Sequence, residues 1–354
     1  MKYRALGRSS LRVSELCLGA MTFGEESGFG APEPACREIY NSFLDAGGNF
    51  IDTANIYTQG TSETMLGRFM AEHRERLVIA SKFSMNTSPA DPNAGGNHRK
   101  NLVQAVESSL RRLNTDYIDL YWMHGWDQVT PLGEVMRALD DLVRAGKILH
   151  IGVSNAPAWY VTAANTLAEE RNMTPFTAFQ VHYNLVERGI EADYFDVAAM
   201  QNMAILAWSP LAAGLLSGKF NTDAQSADLS DTRLHNSPWG AKFLVEERLN
   251  IARGLAEVAA EAGASSAQVA LAWLLQRPQQ SVIPILGARN MEQFSDNMAC
   301  LNVSLSAEQI ARLDALNEPQ LAYPHTLLAN EFYKTMVHGA HWAQLTGTPQ
   351  DEQE

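Results

Sequence analysis

Eight short apolar runs, each bounded by turn-forming residues, alternate along this chain with longer segments of helical spacing. The first four runs are LCLGAM (Leu16 to Met21), NFIDTA (Asn49 to Ala54), LVIASKF (Leu77 to Phe83) and YIDLYWMH (Tyr117 to His124). The second four are ILHIGVS (Ile148 to Ser154), FTAFQV (Phe176 to Val181), AILAWSP (Ala204 to Pro210) and SVIPIL (Ser281 to Leu286). Helical periodicity is clearest in NLVQAVESSLRRL (Asn101 to Leu113), PLGEVMRALDDLVRAG (Pro131 to Gly146) and NIARGLAEVAAEAG (Asn250 to Gly263). In the second of these, Pro131 suits a first turn and Gly146 a C-terminal stop. Repeated βα units of this kind build either a closed barrel or an open doubly wound sheet. Eight strands, each followed by a helix, predict an α/β fold of the (β/α)8, or TIM-barrel, type.

The 354 residues, 46% of them hydrophobic, suffice for one large core. A single domain over 1–354 is therefore expected. Two segments interrupt the repeat. RALGRSSLRVSEL, with Gly7 to Ser10 between short apolar runs, predicts an N-terminal β-hairpin closing the barrel floor. Lys219 to Phe243 is polar, rich in turn formers and long for a connector, which suggests a functional lid or a disordered stretch.

A net charge of −13, from 27 basic and 40 acidic residues, with no basic tract, argues against nucleic acid as a partner. Cys17, Cys36 and Cys300 are scattered without a paired spacing or nearby histidines, so neither a metal site nor a disulfide framework is expected. No run approaches the roughly 18 apolar residues of a membrane span, and the N-terminus lacks a leader-like apolar stretch, so no membrane partner and a cytoplasmic location are expected.

A barrel of this type presents its chemistry at the C-terminal ends of its strands. Asp52 lies near the end of the second run, Tyr57 in the loop after it, Lys82 near the end of the third and His124 at the end of the fourth. Asp and Lys inside apolar strands are costly to bury unless paired. One chemistry accounts for all of them: proton transfer to a carbonyl oxygen. A phenol is a poor acid near neutrality, an adjacent ammonium stabilises its phenolate, and a carboxylate holds that ammonium in place. Lys82 and Asp52 would tune Tyr57, while His124 would orient a carbonyl or assist the relay.

The second half of the chain offers partners for a hydride source. Ser154, Asn155 and Gln180 suit a nicotinamide carboxamide, and Trp208 could stack on its ring. Ser209, Leu211, Gly214 and Lys219 follow as a pyrophosphate path. Arg289, at a helix start in LGARNMEQFSDN, suits an adenosine 2′-phosphate and so favours NADP over NAD. No GxGxxG occurs; GFG at Gly28 to Gly30 lacks the third glycine, so a Rossmann site is not indicated.

Taken in order, LRVSELCLGAMTFG, FIDTANIYTQGTSETMLG, IASKF, VESSLRRLNTDYIDLYWMHGWD, IGVSN, FQVHYN, WSPLAAGLLSGK and ILGARNMEQFSDN resemble the aldo-keto reductases over nearly the full length. The resemblance implies a barrel binding NADP(H) in extended form. Its tetrad maps onto Asp52, Tyr57, Lys82 and His124, with Tyr57 the general acid for reducing an aldehyde or ketone. It implies cofactor contacts from Gly19, Met21, Ser154, Asn155, Gln180, Trp208, Ser209, Pro210, Leu211, Gly214, Leu215, Lys219 and Gly287, and from Asp52 itself. Arg233 would clamp a phosphate, and Arg289, Gln293, Asp296 and Asn297 would hold the adenosine end. The GAR start looks like a bacterial, potassium-channel β-subunit-like branch. That likeness also raises a second reading, a redox-sensing cofactor-binding subunit with little turnover. The partner is then a small-molecule carbonyl or alcohol. The tail, residues 320–354 with Phe332, Tyr333 and Trp342, would close over the rim or pack on a neighbouring subunit of a homo-oligomer.

Overall fold

The computed structural model describes residues 1–220, 244–277 and 282–344. Most of the expected lid segment, with Arg233 and the Trp342 side chain, lies outside the described residues. Eight parallel strands close a barrel in chain order: β3 (Cys17–Gly19), β4 (Phe50–Asp52), β5 (Val78–Phe83), β6 (Ile118–Met123), β7 (Ile148–Ser154), β8 (Ala178–His182), β9 (Ala204–Trp208) and β10 (Val282–Leu286), which returns to β3. All eight apolar runs of the sequence supply one strand each, and the helices lie between them. The open doubly wound sheet is excluded by the closure of β10 on β3.

Successive residues of a strand point to opposite faces, and this sorts the core into two layers. Cys17, Phe50, Val78, Ala80, Leu120, Trp122, Ala178, Leu206 and Ile285 form the interior of the barrel. Their immediate neighbours, such as Leu18, Ile51, Ile79, Tyr121, Phe179 and Ile205, face outward into the layer packed under the helices. Extending the inward file by two residues from Phe50, Ala80, Trp122, Ala178 and Leu206 gives Asp52, Lys82, His124, Gln180 and Trp208. The same step from Cys17 gives Gly19, from Gly152 gives Ser154 and from Ile285 gives Gly287. The polar rim is thus the top layer of the barrel's own interior file.

The floor is closed by the antiparallel hairpin β1 (Tyr3–Ala5) and β2 (Arg12–Ser14). Its Leu6, Leu11 and Val13 pack into the interior cluster from below. Gly7, at φ +54°, turns so tightly against the strand starts that a Cβ would stand 2.3 Å from the Thr177 carbonyl oxygen. A side chain there would both strain the turn and push the plug out.

The helix Leu132–Arg144 starts one residue later than expected: Pro131 is its N-cap, with ψ 134°, an extended geometry that the helix proper cannot hold. Gly146, at φ +70°, follows its C-cap and donates its N–H to the Val143 carbonyl at 2.9 Å, so it acts as the expected stop. After the barrel, helices His325–Leu328 and Glu331–His338 form the described part of the tail. Phe332, Met336 and Val337 on the second are 73%, 67% and 57% exposed, so much of this tail helix's apolar surface is uncovered among the described residues. Among the described residues no single helix is long and apolar enough to cross a membrane.

Candidate active site

Asp52 and Lys82 are buried inside the rim of the barrel and form a close ion pair. The Lys82 ammonium has three protons, and three acceptors surround it: Asp52 Oδ1, the Thr53 carbonyl at 2.7 Å and the Tyr57 hydroxyl at 3.0 Å. Burial opposes the charge on Lys82, but Asp52 first and Tyr57 second outweigh it and hold the ammonium above its ordinary pKa. Burial likewise raises the proton affinity of Asp52, against the pull of Lys82 and of the Gln180 amide. The second oxygen of Asp52, Oδ2, accepts from Gln180 Nε2 at 2.9 Å. All three protons of the Lys82 ammonium and both oxygens of Asp52 are therefore matched inside the chain, which is the condition for keeping an ion pair in a barrel interior.

Tyr57 is aimed by strained backbone. Thr58 and Gln59, the two residues after it, sit at φ 45° and 55°, and Gly60 follows at 94°. Such left-handed geometry costs of order 1–3 kcal/mol at each non-glycine position and persists only where contacts enforce it. Thr58 supplies those contacts: its hydroxyl donates to the Phe23 carbonyl at 2.6 Å and accepts the Ser62 N–H at 3.1 Å. The Tyr57 ring meets the His124 ring edge-on, with centroids 5.9 Å apart. Burial, and next the Lys82 charge, lower the His124 pKa to about 3, so its imidazole is neutral at working pH. A neutral imidazole can donate one hydrogen bond to a carbonyl oxygen lying near the phenol.

Next to this cluster, Ser154 and Gln180 are buried register partners on β7 and β8. Asn155 is exposed at φ 48°, and its Nδ2 donates to Ser154 Oγ at 2.9 Å and to the His124 carbonyl at 2.8 Å. Trp208 stacks face to face on His182, its register partner, at 4.0 Å and 5°.

Residues 15–318 match the model of the Aldo/keto reductase family. The chain belongs to that family. Among curated relatives of this aldo-keto reductase is an aryl-alcohol dehydrogenase of Pestalotiopsis microspora, 34% identical over 92% of this chain and 85% of its own length. The aryl-alcohol dehydrogenase [NADP(+)] of Phanerodontia chrysosporium is 35% identical over 93% of this chain and 89% of its own. Norsolorinic acid reductase B of Dothistroma septosporum is 34% identical over 94% and 86%. These relatives are fungal dehydrogenases and reductases, and they lend no support to the bacterial, channel-subunit-like branch suggested by the GAR start. Membership makes this chain a carbonyl and alcohol oxidoreductase in the broad sense.

The remaining rim of this aldo-keto reductase is built from backbone. Ser209, Ala212, Ala213, Gly214 and Gly218 all have positive φ, so the loop after β9 coils tightly, and Ser209 Oγ accepts the Ala213 N–H at 3.0 Å. Pro210 and Leu215 are buried, Leu211 and Gly214 partly so, and Lys219 is exposed. Gly19, buried against β10, leaves no room for a Cβ, which would lie 2.8 Å from Ile285. Met21 is partly buried just beyond it. Past Gly287, Asn290 rather than Arg289 caps the helix Met291–Met298, which places Arg289 one residue before the cap. The Arg289 N–H is held by Gln293 Oε1 at 3.1 Å, and Asn297 Nδ2 donates to the Gly287 carbonyl at 3.3 Å. Asp296 is placed differently from its neighbours. Its two oxygens accept from Ser265 and Gln268 at 3.0 and 2.7 Å, so its carboxylate braces the adjacent helix Ser266–Leu275.

Three residues of this site escaped the sequence reading. Thr58 holds the Tyr57 loop, His182 backs Trp208, and Asn184 donates from Nδ2 to the Ser209 carbonyl at 2.9 Å. Asn184 stands in FQVHYN beside Gln180, and His182 is the next inward residue after Gln180. An inward count along β8 would have found His182; nothing in the sequence marks Thr58.

Proposed function

We propose that this protein is an NADPH-dependent reductase of aldehydes or ketones, aromatic ones foremost, working with Tyr57 as the general acid. The carrying observation is Lys82 Nζ at 3.0 Å from the Tyr57 hydroxyl, with its other two protons on Asp52 and Thr53. A buried ammonium so placed lowers the cost of a phenolate after the proton has left for the carbonyl oxygen. Lys82 and Asp52 are the tuning pair, and neutral His124 orients the carbonyl by donating a hydrogen bond. The bound cofactor supplies the hydride.

The residues present fit such a cofactor. The Ser154 and Gln180 amide and hydroxyl groups lie side by side at the rim, Trp208 offers an aromatic face, and the coiled loop at Ser209 to Gly218 suits a pyrophosphate. Arg289, with Gln293, Asp296 and Asn297, is assigned to the adenosine end, and Arg289 to the preference for NADPH; Arg233 and Lys219 are assigned to phosphate. The preference for aromatic carbonyls draws on the names of the relatives, as does NADP(H) itself.

The test follows NADPH oxidation with a panel of aromatic and aliphatic aldehydes, ketones and quinones, in the wild type and in Tyr57→Phe. Removal of the general acid should lower kcat by about 10²- to 10⁴-fold. Wild-type turnover in the variant would overturn the assignment of Tyr57, and NADPH binding without turnover on any carbonyl would overturn the enzymatic reading.

A further inference from the structure

The sequence assigns Gln180 to the cofactor, yet its amide already has a partner within the chain. Gln180 is 2% exposed, and its Nε2 donates to Asp52 Oδ2 at 2.9 Å. An ionised carboxylate only accepts, so the atom of Gln180 that faces Asp52 must be the nitrogen. Oε1 is then the atom left to accept from the amide of a nicotinamide. The Asp52 carboxylate divides its oxygens: Oδ1 serves Lys82 and, through it, the Tyr57 hydroxyl, while Oδ2 serves Gln180.

We infer that Gln180 is a positioning residue for the proton donor, its amide linking the nicotinamide pocket to the chain Asp52, Lys82, Tyr57. This rests on the proposed function for the identity of the ligand, but the link to Asp52 lies within the protein. Oε1 and Nε2 belong to one planar amide, so a ligand that donates to Oε1 polarises the N–H that Nε2 gives to Asp52. Cofactor occupancy then strengthens the hold on Asp52 as an anion, which keeps Lys82 charged and seated against Tyr57. Nothing else needs to move. Trp122, from β6, whose ring fills the space that Gly152 leaves open (a Cβ there would stand 2.3 Å from it), also lowers the proton affinity of Asp52, and Cys17, from β3, faces the pair as a thiol whose pKa burial and Asp52 raise. The loss of one neutral donor in so dry a site raises the proton affinity of Asp52.

Gln180→Met keeps most of the volume and removes both the donor and the acceptor. In the cofactor-free variant, the carboxyl ¹³C shift of Asp52 should titrate higher than in the wild type, by about one pH unit or more. At saturating NADPH, kcat should fall about tenfold near neutrality, and the acid limb of its pH profile should move to higher pH, because activity needs ionised Asp52. A higher KM for NADPH with kcat, acid limb and Asp52 titration all unchanged would overturn the inference and leave Gln180 a cofactor contact alone. Should the methionine variant not fold, Gln180→Glu sets a second carboxyl against Asp52. One proton shared by the two should then persist above the ordinary carboxylate range, and two ordinary, independent titrations would overturn the contact. A wild type inactive on every carbonyl counts against the proposed function; the cofactor-free titration still decides the coupling.

Discussion

The two halves of the barrel rim are built on different terms. Around β4 to β6 the functional groups are side chains, buried and mutually satisfied: Asp52 with Lys82 and Gln180, Lys82 with Thr53 and Tyr57. Around β9 and β10 they are mostly backbone, coiled through left-handed residues from Ser209 to Gly218 and opening into the start of the helix after Arg289. Under the proposed function the first half has to change the acidity of one hydroxyl, and that requires fixed charges in a dry site. Under the same proposal the second has a long, flexible, anionic ligand to seat, for which N–H groups and an arginine suffice. Strain occurs in both halves, at Thr58 and Gln59 on one side and at Ala212 and Ala213 on the other, wherever the chain leaves a strand and turns back over the rim.

Breaking the first half should have the largest effect. Lys82→Met leaves the Asp52 carboxylate buried without its counter-charge, which costs about 3–5 kcal/mol of stability. The variant's folded Asp52 then binds its proton above the ordinary carboxylate range. Its stability should fall as pH rises through that range, because the unfolded chain releases a proton that the folded one retains. Denaturant unfolding at several pH values measures this, and Asp52→Asn combined with Lys82→Met should recover most of the loss without recovering activity. Equal stability of Lys82→Met and wild type would contradict the ion pair.

An intermediate effect is expected in the second half. Arg289→Ala should weaken NADPH binding by about 10- to 100-fold, the loss of one or two charge-assisted hydrogen bonds, while NADH binding changes little. Titration of both nucleotides checks this, and equal losses would remove the 2′-phosphate role. The smallest effect is an absence of change. With its pKa lowered to about 3 by burial and by Lys82, His124 should add no limb to the kcat profile between about pH 5 and 8. It contributes to stability all the same: the unfolded chain binds a proton there below its ordinary value and the folded chain does not, so stability should decline as pH falls below about 6.5. A histidine NMR titration in that interval assigned to His124 would sink both statements.

Much of this was legible in the primary structure. The eight apolar runs specified the strands, and the spacing of inward residues by two explains why Asp52, Lys82, His124, Gln180 and Trp208 converge: each is the next inward position above a packed apolar or aromatic residue. Acidic and basic groups at such positions cannot be left unpaired, so pairing of Lys82 with Asp52 followed from burial alone. Cap positions were legible only to within a residue, as Pro131 and Arg289 show, because the first turn of a helix and the residue before it accept the same amino acids.

The sequence by itself determined the repeat, the barrel it closes, the family and which ionisable side chains stand at the strand ends. Those are periodic or compositional properties, and they survive without coordinates. Only the tertiary structure decided which oxygen of Asp52 belongs to Lys82 and which to Gln180, that the Asp296 carboxylate braces the helix Ser266–Leu275, and that Thr58 holds the Tyr57 loop in strain. Hydrogen bonds of that kind join residues far apart in the chain, over distances of a few ångströms that depend on how the strands are staggered around the barrel. No local pattern of residues encodes that stagger.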